Sequence, residues 1–425
     1  MTPSACAPPK ETSHYQLLGH PTDLAGHLRT LGPLPLPATD GRAWGDWLLR
    51  ALQASGLSGR GGAGFPTSVK LDLARAGGGI VVVNGMESEP ASHKDTVLLT
   101  TVPHLVLDGA QLMAAACGAS EVLVCVPAGR DRVADAVWLA IAERRAQSHA
   151  ATPEVVVRPP ARFVAGEESA LARWIATGLS LPSFRPDKGV PLRIGRRRAL
   201  VHNAETLAHV GLIARHGPDA FRSRGIPEEP GTTLVTVSGA VALPGVVEVD
   251  RGTPLQDIVA RSAPVDTIGA MLVGGYGGTW VGPPDFEMPY ASISLRTIGA
   301  SAGVGVIVVL RAASCGIAES ARLAHYMAGQ GAGQCGPCVH GLPAIATDLT
   351  RLAQGRPDPE LTERLLRRLT QVEGRGACRH PDGVVGMVRS ALRVFAADVS
   401  AHQRGAPCPQ WNDAPQLYLP RDTGG

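Results

Sequence analysis

Apolar residues run along this chain in two textures. From Ala43 to Ser55, Trp44, Trp47, Leu48, Leu49 and Leu52 recur at helical spacing, and the stripe ends in a glycine loop, Gly59-Arg60-Gly61-Gly62-Ala63-Gly64-Phe65. Short continuous apolar runs at Ile80–Val83, Val122–Val126 and Val155–Val157 then alternate with helical patterns at Val97–Ala116 and Val133–Arg145. A continuous run suits a strand buried on both faces, and its alternation with helices predicts βαβ units around a mostly parallel sheet. The fold class is α/β. From about 226 the texture changes: Thr233–Gly239 and Gly245–Val249 read as strands, Thr253–Val259 as a turn and short helix, and Met271–Gly275 and Val304–Leu310 as further strands of a small α+β module. Beyond Cys315 the pattern is helical again at Ile317–Met327, Pro343–Ala353, Pro359–Val372 and Pro381–Val399, which predicts a bundle. Residues 1–42 read as an irregular lead-in and 401–425 as an extended, partly disordered tail, with Cys408 a bystander in it.

Composition narrows the class. A chain of 425 residues exceeds what one core supports, so several domains are expected. Hydrophobic residues at 44% and charged residues at 18% describe a globular protein. An aromatic share of 4% leaves few stacking platforms for nucleic acid and a net charge of +3 argues neither way, so no nucleic-acid partner is expected. No stretch reaches the roughly 18 apolar residues of a membrane span, and Met1–Ala5 has neither a basic start nor an apolar run after it, so a cytoplasmic location is expected. In that compartment a Cys-x-x-Cys pair reads as metal-binding or redox-active before it reads as a disulfide.

That pair is Cys335-Gly-Pro-Cys338, and Cys378 stands in a second glycine-bounded loop. Two thiolates two residues apart grip one centre and a distant third closes it, as an iron–sulfur cluster or, with His380, a Cys3His zinc site. Cys117 and Cys125 lie inside apolar elements and read as core. The loop fits Gly59-x-Gly61-x-x-Gly64, yet a helix precedes it where a dinucleotide fingerprint needs a strand, and no Lys-Ser or Lys-Thr follows as a triphosphate loop requires. Its glycines still let the backbone approach a flat or phosphorylated ligand, with Lys70 near enough to supply charge. Asn84, Glu87 and Glu89 follow the Ile80–Val83 strand, and Phe163, Gly166, Glu167 and Glu168 follow Val155–Val157. Either acidic pair alone reads as a helix start or a solvated face; both at strand exits beside a glycine loop point to a ligand. His202 and Asn203 add hydrogen-bonding groups, an amide cap explaining Asn203 equally well. Arg193, Arg196, Arg197 and Arg198 form a solvated basic face or a dock for an acidic ferredoxin or a nucleotide phosphate.

The order of these segments resembles the FMN-bearing flavoprotein (F-type) subunits of NADH:quinone oxidoreductase, respiratory complex I. The resemblance covers about 45–400 and rests on Ser58 to Thr67, Asn84 to Pro90, Gly166-Glu-Glu-Ser-Ala-Leu, Asn203-Ala-Glu-Thr-Leu-Ala, Ser238 to Gly245 and Gln334-Cys-Gly-Pro-Cys. Asn84, Glu87 and Glu89 also look like the C-type subunits of the ferredoxin:NAD oxidoreductase. The resemblance implies a Rossmann-like FMN- and NADH-binding α/β domain at 43–225, a ubiquitin-like (β-grasp) ligand-binding module at 226–312, a helical iron–sulfur domain at 313–400 and a flexible tail at 401–425. It implies that the loop at 59–64, Lys70, Asn84, Glu87, Phe163, Gly166, Glu167 and Asn203 surround FMN, and that Phe65, Glu89 and Glu168 face the nicotinamide nucleotide. Cys335, Cys338 and Cys378 would hold a 4Fe-4S cluster that passes single electrons to a ferredoxin-like protein or another member of a complex, with the protein peripheral on the cytoplasmic membrane through that complex. Three positions depart from the family: Met86 stands where it has a carboxylate, Leu73 and Lys188 where adenine-stacking aromatics fall, and Ala332 where the first cluster cysteine belongs. The fourth cluster ligand is then Cys315, His340, His380, water, or none in a three-iron form. The competing readings are a ferredoxin-fed relay without NADH activity and a structural zinc protein on the same fold.

Overall fold

Residues 15–36, 41–75, 79–184, 190–356, 358–406 and 408–420 are described by a computed structural model. The first sheet follows from the continuous apolar runs. In chain order come α1 (Leu24–Leu31), α2 (Gly41–Ser55), α3 (Thr67–Ala74), β1 (Gly79–Asn84), α4 (Lys94–Thr101), α5 (Pro103–Cys117), β2 (Glu121–Cys125), α6 (Asp131–Ala146), β3 (Glu154–Val157), α7 (Glu168–Thr177), β4 (Arg193–Ile194), β5 (Arg197–Asn203) and α8 (Ala204–Arg222). The strands lie in the order β3-β2-β1-β5-β4, parallel except for the short antiparallel edge strand β4. Val81, Val83, Val122, Val124 and Leu200 pack with residues of α5 and α8, while Ile80, Val82, Leu123, Cys125, Ala199 and Val201 pack with α7. Both faces are covered, which is why the runs are apolar throughout. The winding reverses at β1, because β2 and β3 lie to one side and β5 to the other. A crevice opens at such a reversal, at the carboxyl ends of the strands.

The long helical pattern expected over Val97–Ala116 is two helices meeting at 94°. Pro103 removes an amide and drives Val102 out of the helical region (φ −138°, ψ 46°), so the chain turns there. No single helix among the described residues is long and apolar enough to cross a membrane.

A hairpin of β6 (Gly225–Ile226) and β7 (Glu229–Pro230) leads to β8 (Thr232–Gly239), β9 (Gly245–Asp250), α9 (Leu255–Ala260), β10 (Ile268–Val273), β11 (Thr279–Val281), α10 (Ser292–Leu295) and β12 (Val306–Arg311). The second sheet has the order β11-β10-β12-β8-β9, with β12 and β8 parallel at its centre and the outer pairs antiparallel. Val235, Val237, Met271, Val273, Ile307 and Val309 pack with α9; Ala270, Leu272, Trp280, Val306, Val308 and Leu310 pack with the helices that follow. Those are α11 (Gly316–Gly329), α12 (Leu342–Ala353), α13 (Leu361–Val372), α14 (His380–Val394) and α15 (Ala396–Gln403). The single helix expected over Pro381–Val399 breaks at Phe395, whose ring packs edge-on to Trp280 at 5.1 Å and fills the space beside Gly316, where a Cβ would lie 2.2 Å from it.

Two terminal expectations are corrected. The lead-in contains α1, capped by Asp23, and buries Tyr15 and Leu17 in the first core. The tail is fastened rather than flexible over its described part. Arg322 on α11 donates to the carbonyls of Gln410, Trp411 and Asp413, the Leu417 amide donates to Glu319, and Cys408 and Leu417 are buried.

Candidate functional site

The glycine loop is closed by a bridge between Ser58 and Pro66 and by the Gly59 amide donating to the Phe65 carbonyl at 2.9 Å. Gly62 (φ +99°) and Gly64 (φ +62°) take backbone angles that side chains disfavour, and Gly61 to Gly64 are exposed. The loop leans on the turn from β5 into α8: the Arg60 amide donates to Thr206 Oγ1 at 2.9 Å, and a Cβ on Gly61 would sit 3.4 Å from that of Asn203. Asn84 and Asn203 end neighbouring strands and are paired in register, so the loop overlooks the crevice at the reversal of the sheet. On the side of the second sheet the loop borders a cavity of about 540 Å³ that Arg60, Glu229, Arg251, Ser292 and Gly303 also line, a volume typical of small-molecule sites.

Beneath the crevice lies a charge network. Lys94, buried, donates to Asn203 Oδ1 at 2.8 Å and pairs with Asp95 at 2.9 Å and Glu205 at 3.0 Å. Burial works against the Lys94 ammonium, yet Asp95 and Glu205 hold its pKa above the ordinary lysine value. Burial pushes the Asp95 carboxyl up to about 6 against the pull of Lys94, while Lys94 and Arg60 keep that of Glu205 below its usual range despite burial. Asn203 caps α8 and donates to Asp95 at 2.7 Å. Sequence reasoning missed Lys94 and Asp95. The signal was a lysine in the first turn of a helix, where the dipole disfavours a cation and some other partner must hold it.

The other expected residues divide. Asn84 donates to the Gly166 carbonyl at 3.0 Å, which ties the first strand exit to the second. Gly166 is required there, because a Cβ would lie 2.3 Å from Ser88 Oγ. Glu87 (φ +38°) is spent on the start of α4, accepting from the amides of Asp95 and Thr96 at 2.8 and 3.0 Å. Glu89 is buried and accepts from the Tyr276 amide at 2.9 Å; burial raises its carboxyl to about 7. Lys70 pairs with Glu168 at 2.7 Å and donates to the Val201 carbonyl at 2.8 Å. Glu167 caps α7 through the amides of Ser169 and Ala170. His202 is buried with Nε2 lacking a hydrogen-bond partner among the described residues, and burial together with Lys70 holds the ring well below the ordinary histidine pKa. Phe65 is half-buried at the foot of the loop. Met86 is fully buried with Ala165 and Leu171, so the family's carboxylate position has become core. Leu73 is half-buried on α3, and Lys188 lies outside the described residues. Of the basic run, Arg197 binds Glu121, Ser120 and the Gly79 carbonyl and Arg198 binds the Leu73 carbonyl, which fastens the sheet edge; Arg193 and Arg196 remain exposed.

The three thiols are near enough to influence one another, though their sulfurs are not gathered within 4.8 Å of one another. Burial with Cys335 and Cys378 pushes the Cys338 thiol up to about 11, and burial with Glu167 and Cys335 raises that of Cys378. Thiolates that raise one another's pKa are a donor set that a bound cation relieves, so these residues fit an iron–sulfur group. The 163–168 segment that borders the crevice and the nearby Pro182 lie close to the thiol loops. Glu167 acts on Cys378, the Phe163 ring meets His380 edge-on at 5.4 Å, and Gln334 donates to the Pro182 carbonyl at 3.0 Å. Cys315 caps the start of α11 while the thiol loop follows its end, a separation of about 20 Å for a helix of this length, so Cys315 is not the fourth ligand. His340 is exposed on the π-helical turn after Cys338. His380 bonds the Met327 carbonyl through Nε2 at 2.8 Å, and its buried Nδ1 has no hydrogen-bond partner among the described residues.

The Nuo51 FMN-binding domain matches residues 52–212, and the iron–sulfur binding region of NADH-ubiquinone oxidoreductase F matches residues 318–402. The chain belongs to the F-subunit family of NADH-quinone oxidoreductase. It is 26% identical to the second F-type NADH-quinone oxidoreductase chain of Rhizobium meliloti (strain 1021), over 86% of this chain and 90% of that protein, and 28% identical to the F-type chain of Streptomyces coelicolor, over 86% and 84%. The fold is also that of a chain of an NAD+-reducing NiFe hydrogenase, with a TM-score of 0.76, 29% identity and 86% of this chain covered. This chain spans only 63% of the hydrogenase chain. The two family models cover the crevice and the thiol cluster, so this F-family chain is an oxidoreductase subunit with an FMN-binding domain and an iron–sulfur region.

Proposed function

We propose that this protein takes electrons from NADH at the crevice under the glycine loop and hands them through the Cys335–Cys338–Cys378 centre to a ferredoxin-like protein or another member of its complex. When bound, FMN supplies a ring that accepts a hydride and releases electrons singly. The exposed amides of Gly61 to Gly64 and the unpartnered His202 Nε2 offer it donors. In this reading Glu89, with its carboxyl near neutrality, and Glu168, paired with Lys70, face the nicotinamide nucleotide. Lys94 balances Asp95 and Glu205, holding Asn203 toward the crevice without leaving a net positive charge beneath it. His380 Nδ1 is the fourth cluster ligand we favour. The central parallel pair of the second sheet, flanked by antiparallel strands and crossed by α9, supports a β-grasp reading of 226–312. Assembly into a larger complex accords with the relatives' names, each a subunit of an NADH-quinone oxidoreductase.

The observation that carries this reading is the 163–168 segment, whose Gly166 carbonyl accepts from Asn84 at the crevice while its Phe163 ring meets His380, two residues from Cys378. Anaerobic titration of flavin-loaded protein with NADH tests it. Bleaching of the flavin band followed by a reduced-cluster EPR signal is expected. No bleaching at millimolar NADH or NADPH, with reduction by ferredoxin instead, would transfer the reading to a ferredoxin-fed relay, the alternative that Leu73 in place of a stacking aromatic favours.

A further inference from the structure

A second cluster of metal-ligating side chains lies at the start of α11, away from the thiols that follow its end. Cys315 is the N-cap there, its sulfur accepting from the Ala318 amide at 3.4 Å. His402 comes from the last turn of α15, and Cys408 from the segment that Arg322 fastens. All three are buried, and their ligand atoms lie within 4.8 Å of one another. His402 Nε2 stands 4.0 Å from the Cys315 sulfur, and its buried Nδ1 has no hydrogen-bond partner among the described residues. The nitrogen that faces the sulfurs is Nε2, whose contact with Cys315 at 4.0 Å is at the long limit of a hydrogen bond, a weak partner that a metal bond would replace.

We propose that Cys315, His402 and Cys408 form a zinc site, completed by Asp398 or a water, that clamps the C-terminal segment onto the start of α11. A tetrahedral zinc with bonds of about 2.3 Å to sulfur and about 2.0 Å to nitrogen has ligand-to-ligand edges of about 3.5–3.8 Å, so a small inward movement of these side chains closes the site. Two soft sulfurs with an imidazole suit zinc over the oxygen-seeking cations. Asp398 lies one turn before His402 on α15, and both border the same cavity of about 380 Å³ as Cys315, which gives the ion a way in.

Holoprotein carrying its flavin and iron, equilibrated with zinc and then freed of excess, tests this by elemental analysis. About one zinc per chain is expected beyond the iron. Cys408→Ser and His402→Ala should each lower bound zinc by about tenfold or more while iron and flavin stay unchanged, and Cys378→Ala should do the reverse. Zinc that follows Cys378 rather than Cys408, wild-type protein that retains none, or a Cys315–Cys408 disulfide in unreduced protein overturns the proposal. Where the variants fail to fold, zinc-free wild-type holoprotein titrated with Co2+ should develop thiolate-to-cobalt bands in the near ultraviolet, and their absence counts against the site.

Discussion

At Lys94 a single ammonium holds two buried carboxylates, those of Asp95 and Glu205, at the carboxyl end of the first sheet. Removing it while leaving them costs about 3–5 kcal/mol, since an unpaired buried charge is worse than none. Lys94→Met should therefore lower Tm on the order of 10 °C in thermal melts, and Asp95→Asn in the same chain should recover part of the loss. Glu89 gives a pH dependence of opposite cause. Its carboxyl is raised from 4.5 to about 7 by burial, so the folded protein holds a proton that the unfolded chain has released across that interval. Stability then falls as pH rises from about 4.5 to about 7, by at most about 3 kcal/mol, and is unaffected by this group below that window. Glu89→Gln should flatten that part of the Tm-versus-pH curve; an unchanged slope would mean that Glu89 is not the titrating group. Asn84 and Asn203 were legible in the sequence because an amide after an apolar run is a recognisable cap or strand end. Lys94 was not, because its partners include a position brought to it only by the sheet.

The glycine loop is where an element's conformation decides binding. Gly62 has φ +99°, and a Cβ there would lie 3.3 Å from Val304 of the second module. A β-branched side chain at such an angle costs at least about 1–2 kcal/mol locally and pushes the loop from its seat. Gly62→Val should therefore lose most of its flavin on gel filtration while keeping its circular dichroism, and full flavin content would mean that the loop is not the flavin site. Elements with one strong period were legible: β1, β2, β3 and α6 lie within a few residues of where the pattern put them. The break between α4 and α5 was written in Pro103 but overridden by the apolar run around it. The break at Phe395 was not written locally at all, since it depends on Trp280 and Gly316 far away in the chain. The same holds for the tail, which has no period of its own and is held by α11.

Across the whole molecule, the flavin crevice and the thiol cluster belong to segments distant in sequence, and no local pattern marks the 163–168 segment as their junction. In the proposed route electrons leave through this centre, so its ligand set governs their exit. Ala332 stands three residues before Cys335, beside Gly331, where a Cβ would touch the Cys338 sulfur at 3.3 Å. The position is within reach of the centre, and a thiol there would restore the ligand that the family carries. Ala332→Cys should give a cluster that survives air exposure longer than that of the wild type, followed as the decay of its visible absorbance and acid-labile sulfide. It should also make the centre indifferent to His380. In the wild-type background, His380→Ala should leave a three-iron signal in low-temperature EPR, because the fourth ligand proposed for the centre is then gone. Combined with Ala332→Cys, the same change should leave the four-iron signal intact, and a three-iron signal in both backgrounds would mean that residue 332 does not reach the cluster.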